Sequence, residues 1–174
     1  MKKGDIMIYI YDDFAGTHST ALAAAYHLKK LPTDRKLTKE EILQVDYFNQ
    51  LTPADMGRLI FHGIDDEGHS VYTIGRKNSK LVVPALKNLS IMLQNHFREE
   101  EKVIFSNTSP TVPFAMTMGG LFSRRLKIDF IGVPLLVLGA KQCCHDILRL
   151  VQYTKEVGAS THTEVTVLEN KSFT

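Results

Sequence analysis

An α/β domain with a mostly parallel sheet is the fold this sequence predicts, on three observations. Short apolar runs (residues 6–11, "VIFSN" and "PLLVL") alternate with segments of helical spacing, the pattern of strand–helix–strand units. The first run passes through Asp12-Asp13 and "GTHST" straight into an alanine-rich helix, a P-loop-like or Rossmann-like opening. Two more β-prone runs flank Asp65-Asp66-Glu67-Gly68, which is hairpin chemistry. Together these predict a three-layer sandwich over residues 1–174, one domain, with the hairpin inserted or appended. The competing arrangement is α+β, with the hairpin and the last strand in a separate antiparallel sheet.

Each element has its own warrant. Residues 6–11 are rich in Ile and Tyr and bounded by turn residues, so they read as a buried strand. From His18 to Leu31, Leu22, Ala25 and Leu28 trace one stripe, and Pro32 is the expected stop. Thr38-x-x-Glu41 is a capping box that opens a helix towards Tyr47 or Phe48. Thr52 and Pro53 suit the N-cap and first position of a short third helix. After the hairpin, residues 84–97 form a helix with Leu86, Leu89, Leu93 and Phe97 on one face; charged "REEEK" follows. "VIFSN" is then a buried strand, and "TSPTVPFAMTMGGLFSRRL" a loop leading into a helix interrupted at Gly119-Gly120. "PLLVL" reads as a third buried strand. Residues 140–156 read as the last helix, capped by Gly158, with "TEVTVLEN" as an edge strand.

Composition narrows the class. The 174 residues are 44% hydrophobic and 23% charged, enough for a sizeable core without disulfides or a structural metal. A balance of 21 basic against 19 acidic side chains lacks the lopsidedness of a nucleic-acid binder. Cys143 and Cys144 are adjacent and read as reduced thiols of a cytosolic protein. The lead Met1-Lys2-Lys3 is followed by an apolar run too short for a signal peptide, and "FIGVPLLVLGA" is too short to span a bilayer. The expectation is a cytoplasmic protein with no nucleic-acid or membrane partner.

The loop after the first strand is the main candidate site. Ligands of parallel α/β sheets gather where strands feed helices, and a helix N-terminus suits an anion. Gly16 lets the backbone approach closely, Thr17, Ser19 and Thr20 offer hydroxyls, and Asp12 and Asp13 could hold a divalent cation. The loop departs from the Walker A pattern: Thr17 stands where the lysine belongs and Tyr11 where the first glycine does. His18 is the candidate general base or phosphoryl acceptor. Locally, its setting looks like the phospho-histidine loop of mannose-type sugar phosphotransferase domains. The plainer reading is that it caps the helix.

Other candidates are weaker. Ser123, Arg124 and Arg125 in "GGLFSRRL" could present bidentate donors to an anion, or complement a helix end. Asn107, Thr108 and Ser109 follow a buried strand and so fall on the ligand side, although turns favour the same residues. Arg76 is a possible third basic contact. "CCH", ending at His145, suggests metal but has the wrong spacing for a structural zinc site. His27, His62 and His69 have no partner at diagnostic spacing.

Taken in order, "IYIYDDFAGTHSTALAAAYHLKKLP", "GIDDEGHSVYTIGRK", "GGLFSRRL" and "GVPLLVLGAKQ" resemble an uncharacterised family of spore-forming, Gram-positive bacteria, a domain of unknown function. The likeness covers about residues 5–157. That family's loop varies around Gly-x-His-Ser; Gly16, His18 and Ser19 match, while Ala15 departs from a double glycine. The resemblance groups these segments and implies no reaction. The function expected is binding of a phosphorylated or anionic small molecule at the first strand–loop–helix, extending to phosphoryl transfer. The competing reading is a non-catalytic regulatory or interaction protein with a degenerate P-loop-like fold. The sequence names no cofactor and no oligomeric state.

Overall fold

A computed structural model describes residues 6–97 and 101–173. The Met1-Lys2-Lys3 lead and most of the charged "REEEK" link lie outside the described residues. Five strands form one mixed sheet: β1 (Met7–Asp13), β2 (Ile60–Ile64), β3 (Ser70–Gly75), β4 (Lys102–Asn107) and β5 (Val165–Leu168). Their order is β2-β3-β1-β4-β5. The β1–β3, β1–β4 and β4–β5 pairings are parallel, and the hairpin partner β2 is antiparallel on β3. The hairpin and the last strand therefore join the same sheet, which excludes the two-sheet alternative.

Side-chain alternation along β1 sorts the helices. Met7, Tyr9 and Tyr11 face α1 (Ser19–His27) and α5 (Asp129–Ser160), where Leu22, Leu136, Ile147 and Leu150 build the main core. Ile8 and Ile10 face the other way, against Val82, Val83, Leu86 and Ile91 of α3 (Val82–Phe97). Of the four residues expected on one face of that helix, Leu86 packs inward, while Leu89, Leu93 and Phe97 are exposed. Val82, Val83 and Ile91 share the inner positions with Leu86.

Several boundaries move, each for a local reason. β1 runs on through Asp12 and Asp13, because both are paired with neighbouring strands. α1 stops before Lys29, which adopts φ 55, so Pro32 is not what ends it. α2 (Lys39–Leu43) keeps its capping box but ends well before Tyr47, whose φ is 63. Pro53 starts a single 3-10 turn, Pro53–Asp55.

The largest correction concerns "PLLVL". It is the interior of α5, a 32-residue helix, and no strand. A short apolar run reads alike as buried strand or buried helix, and Pro134, close to the helix start, did not break it. Small residues make this possible. An added Cβ on Gly132 would lie 2.5 Å from the Ser123 nitrogen, and one on Gly139 2.6 Å from the Met116 nitrogen. That closeness seats α5 against α4 (Phe114–Gly120). Gly158 is no cap either: it lies inside α5, where a Cβ would strike the Tyr9 ring.

Candidate functional site

The strand order reverses around β1. The chain leaves β1 towards β3 and leaves β4 towards β5, so the carboxyl ends of β1 and β4 bound the crevice where such sheets bind ligands. The β1–α1 loop lies there. Gly16 takes φ 71, and an added Cβ would sit 2.5 Å from the Gly75 nitrogen. Its close approach is thus to the end of β3, and this packing sets the loop's height above the sheet.

Most polar side chains of the loop turn inwards. Asp13 accepts hydrogen bonds from the Gly16 N–H and, at 2.7 Å, from the Ser19 hydroxyl. Ser19 also meets Thr108 Oγ1 at 2.8 Å, joining the start of α1 to the end of β4. Asp12 pairs with Arg76, Nε to Oδ1 2.5 Å, so Arg76 is an internal counter-ion. Burial still pushes the Asp12 carboxyl up to about 6, outweighing the guanidinium.

A second loop, residues 47–51, lies over the first. Thr17 donates to the Tyr47 carbonyl at 2.6 Å and accepts from the Gln50 and Leu51 N–H groups at 3.2 and 3.3 Å. His18 Nε2 lies 3.2 Å from Asn49 Oδ1. The Asn49 amide donates to Ser123 Oγ at 2.8 Å, and Ser123 donates to Asp129 at 2.5 Å. Because Asn49 Nδ2 is committed to Ser123, its oxygen accepts and His18 Nε2 carries the proton. Burial lowers the His18 pKa and keeps the ring neutral. Gly120 packs beside the ring, where a Cβ would come within 3.3 Å of Cε1 and 3.7 Å of Nδ1.

The turn that supplies Ser123 is a π-helical stretch, Leu121–Arg125, following α4 without a break. Gly119 and Gly120 therefore mark close packing, against Leu136 and His18, rather than an interruption. Widening the helix by one residue turns Ser123 and Arg124 together onto the 47–51 loop. Arg124 donates to the carbonyls of Asn49 at 2.8 Å, of Gln50 at 3.2 Å and of Leu51. It is a clamp.

The structure thus gathers Gly16, Thr17, His18, Ser19, Ser123 and Arg124, together with Asp13 and Thr108 that the sequence also singled out, and adds Asn49 and Asp129. Thr20 is buried in the first turn of α1. Arg125 is exposed, and among the described residues it forms no hydrogen bond or ion pair with the loop. Asn107 turns to Ser109 and Glu169. Asn49 is missing from the sequence reading; its one signal is an asparagine in a short loop, where its φ of 54 suits that side chain.

Elsewhere, "CCH" does not converge: both thiols are buried and His145 is exposed. Burial pushes the Cys143 thiol up to about 12. Asp65, Asp66 and Glu67 cluster at the hairpin turn, but Asp65 is occupied. It accepts from His27 Nε2 at 3.1 Å, while His27 Nδ1 meets the Tyr11 hydroxyl at 2.7 Å. The partly exposed Lys155 completes this set, 3.3 Å from Asp65.

The family model described as "Protein of unknown function (DUF3189)" matches residues 8–156. The chain belongs to that family. The match runs from β1 into the last turns of α5, so the DUF3189 region contains both stitched loops and the π-helical turn. No curated protein and no solved structure matches the chain.

Proposed function

We propose that the β1–α1 loop binds a phosphorylated or otherwise anionic small molecule at the start of α1. One observation carries this reading. α1 begins without a side-chain cap, its first turn is buried, and Thr20 Oγ1 in that turn has no hydrogen-bond partner. A buried helix start leaves main-chain N–H groups and a partial positive charge in need of an acceptor, and a phosphate or carboxylate oxygen provides one. Arg76 offsets the Asp12 charge, and Asp13 spends its acceptors within the loop, which makes an anion tolerable nearby.

Binding fits the geometry better than phosphoryl transfer. His18 is neutral, bonded through Nε2 to Asn49 and packed beside Gly120, so it holds the two loops together. Arg124 likewise spends its donors on carbonyls. In this reading the opening is P-loop-like in shape and the sheet is the middle of three layers. The buried, unpaired thiols support a cytoplasmic setting. The second reading, a regulatory protein with no small ligand, is favoured by the internal use of Thr17, His18 and Arg124.

Thermal unfolding with inorganic phosphate or sulfate separates them. Phosphate should raise the Tm of the wild type by binding only the folded state. Thr20→Val removes the unpartnered hydroxyl at constant shape, so it should be at least as stable without phosphate and less protected with it. No rise in Tm with either anion, or equal protection of both proteins, rules the anion site out.

A further inference from the structure

The first third of α5, "DFIGVPLLVLGA", carries Asp129 as its one charge. Gly132, Leu136, Val137, Gly139 and Ala140 are buried against the core. The opposite side is bare. Phe130 is 82% exposed, and Ile131 and Leu138 are exposed with it. The spacing of residues 130, 131, 134 and 138 makes one stripe along the helix, with Pro134 also exposed. Leu126 is exposed in the preceding turn. Phe114, 78% exposed, opens α4 two residues before Met116, which lies against Gly139 beside Leu138.

Cations bracket this stripe. Arg125 and Lys127 are exposed just before it, Lys141 just after it, and none of the three forms an ion pair among the described residues. The only acid within the stretch, Asp129, accepts from Ser123. We propose that this face docks on the surface of an anionic lipid bilayer, with Leu126, Phe130 and Leu138 entering the acyl boundary and the cations meeting the headgroups. Bulky apolar side chains flanked by lysine and arginine are what an interfacial helix presents to lipid.

Two alternatives fit less well. α5 is long and apolar enough to cross a membrane by length and composition. However, its other face is the protein's own core, and the bare stripe is about 12 Å long at 1.5 Å per residue, well short of a ~30 Å hydrocarbon layer. A second copy of the chain seated on the stripe would set cationic ends against each other in either orientation.

Co-sedimentation of the full chain with vesicles tests this. At low salt the protein should pellet with phosphatidylcholine vesicles containing about one-third phosphatidylglycerol, and remain in solution with phosphatidylcholine alone. Arg125→Gln and Lys127→Gln should each weaken binding about fivefold, and raised salt should mimic them. Phe130→Ser should weaken it at every salt concentration. These positions are exposed, and an unchanged circular-dichroism melt shows that each variant is folded. Failure to pellet with anionic vesicles, binding indifferent to Phe130→Ser, or a dimer lost in Phe130→Ser without vesicle binding overturns the proposal.

Discussion

His18 Nε2 and Asn49 Oδ1 meet at 3.2 Å, and through this contact two loops far apart in sequence become one polar unit. The unit runs on through Ser123 to Asp129, so a strand-end loop, a connecting loop, a π-helical turn and the start of α5 share one hydrogen-bond chain. Each buried donor in it has an acceptor. Removing a middle member leaves neighbours unpaired, which costs more than an average hydrogen bond contributes.

Asn49→Ala should accordingly destabilise the protein by about 2–4 kcal/mol, combining the unpaired groups with alanine's reluctance at positive φ. Asn49→Asp should instead raise the His18 pKa by setting a carboxylate on Nε2. Denaturant midpoints and imidazole NMR titrations check the two outcomes. A His18 pKa unmoved by Asn49→Asp would break the assigned contact.

Gly16→Ala introduces both a strained φ and a Cβ directed at the backbone of Gly75. Backbone cannot swing aside as a side chain can. The cost should exceed ~2 kcal/mol, and phosphate protection should weaken with it. Gly68→Ala, at the hairpin turn with nothing within 4 Å of the added carbon, should cost only the φ penalty of about 1 kcal/mol.

Acid should weaken the fold well above the usual carboxylate range. Burial lowers the His27 and His62 pKa values to about 4, against 6.5 in the unfolded chain. Between those values the unfolded state binds more protons, so stability falls as pH drops from 6.5 towards 4, by about 3 kcal/mol for His27. Asp12 opposes this below about 6, where its folded carboxyl takes up a proton that the unfolded one takes only near 3.8. Urea midpoints from pH 7 to 4.5 should decline, and His62→Gln, which can keep the bond to Thr73, should flatten the decline. An equally steep curve for that variant would exonerate His62.

Native protein should react slowly with a thiol reagent at Cys143, because the group is buried and pushed up to about 12. Both thiols should become reactive together on unfolding. Cys143→Ala should cost about 1 kcal/mol and leave phosphate protection unchanged. Fast labelling of the folded protein would place the thiol nearer the surface.

Local chemistry alone determined much of this molecule. β1, the hairpin, β4, the Thr38 capping box and the edge strand β5 are legible because alternation, turn residues and caps act between near neighbours. For the same reason the loop between β1 and α1 is legible as the candidate site. Tertiary structure decided what local signals leave open. "PLLVL" is equally apolar as strand or helix, and its place in α5 follows from glycines at 132 and 139 meeting Ser123 and Met116. Arg124 reads as an anion contact until the π-helical turn aims it at three carbonyls. His18 shows no partner in the sequence, because Asn49 is 31 residues away and only the folding of one loop over the other brings them together. Patterning within a few residues specifies elements; pairing across the chain depends on packing, and packing assigned the roles.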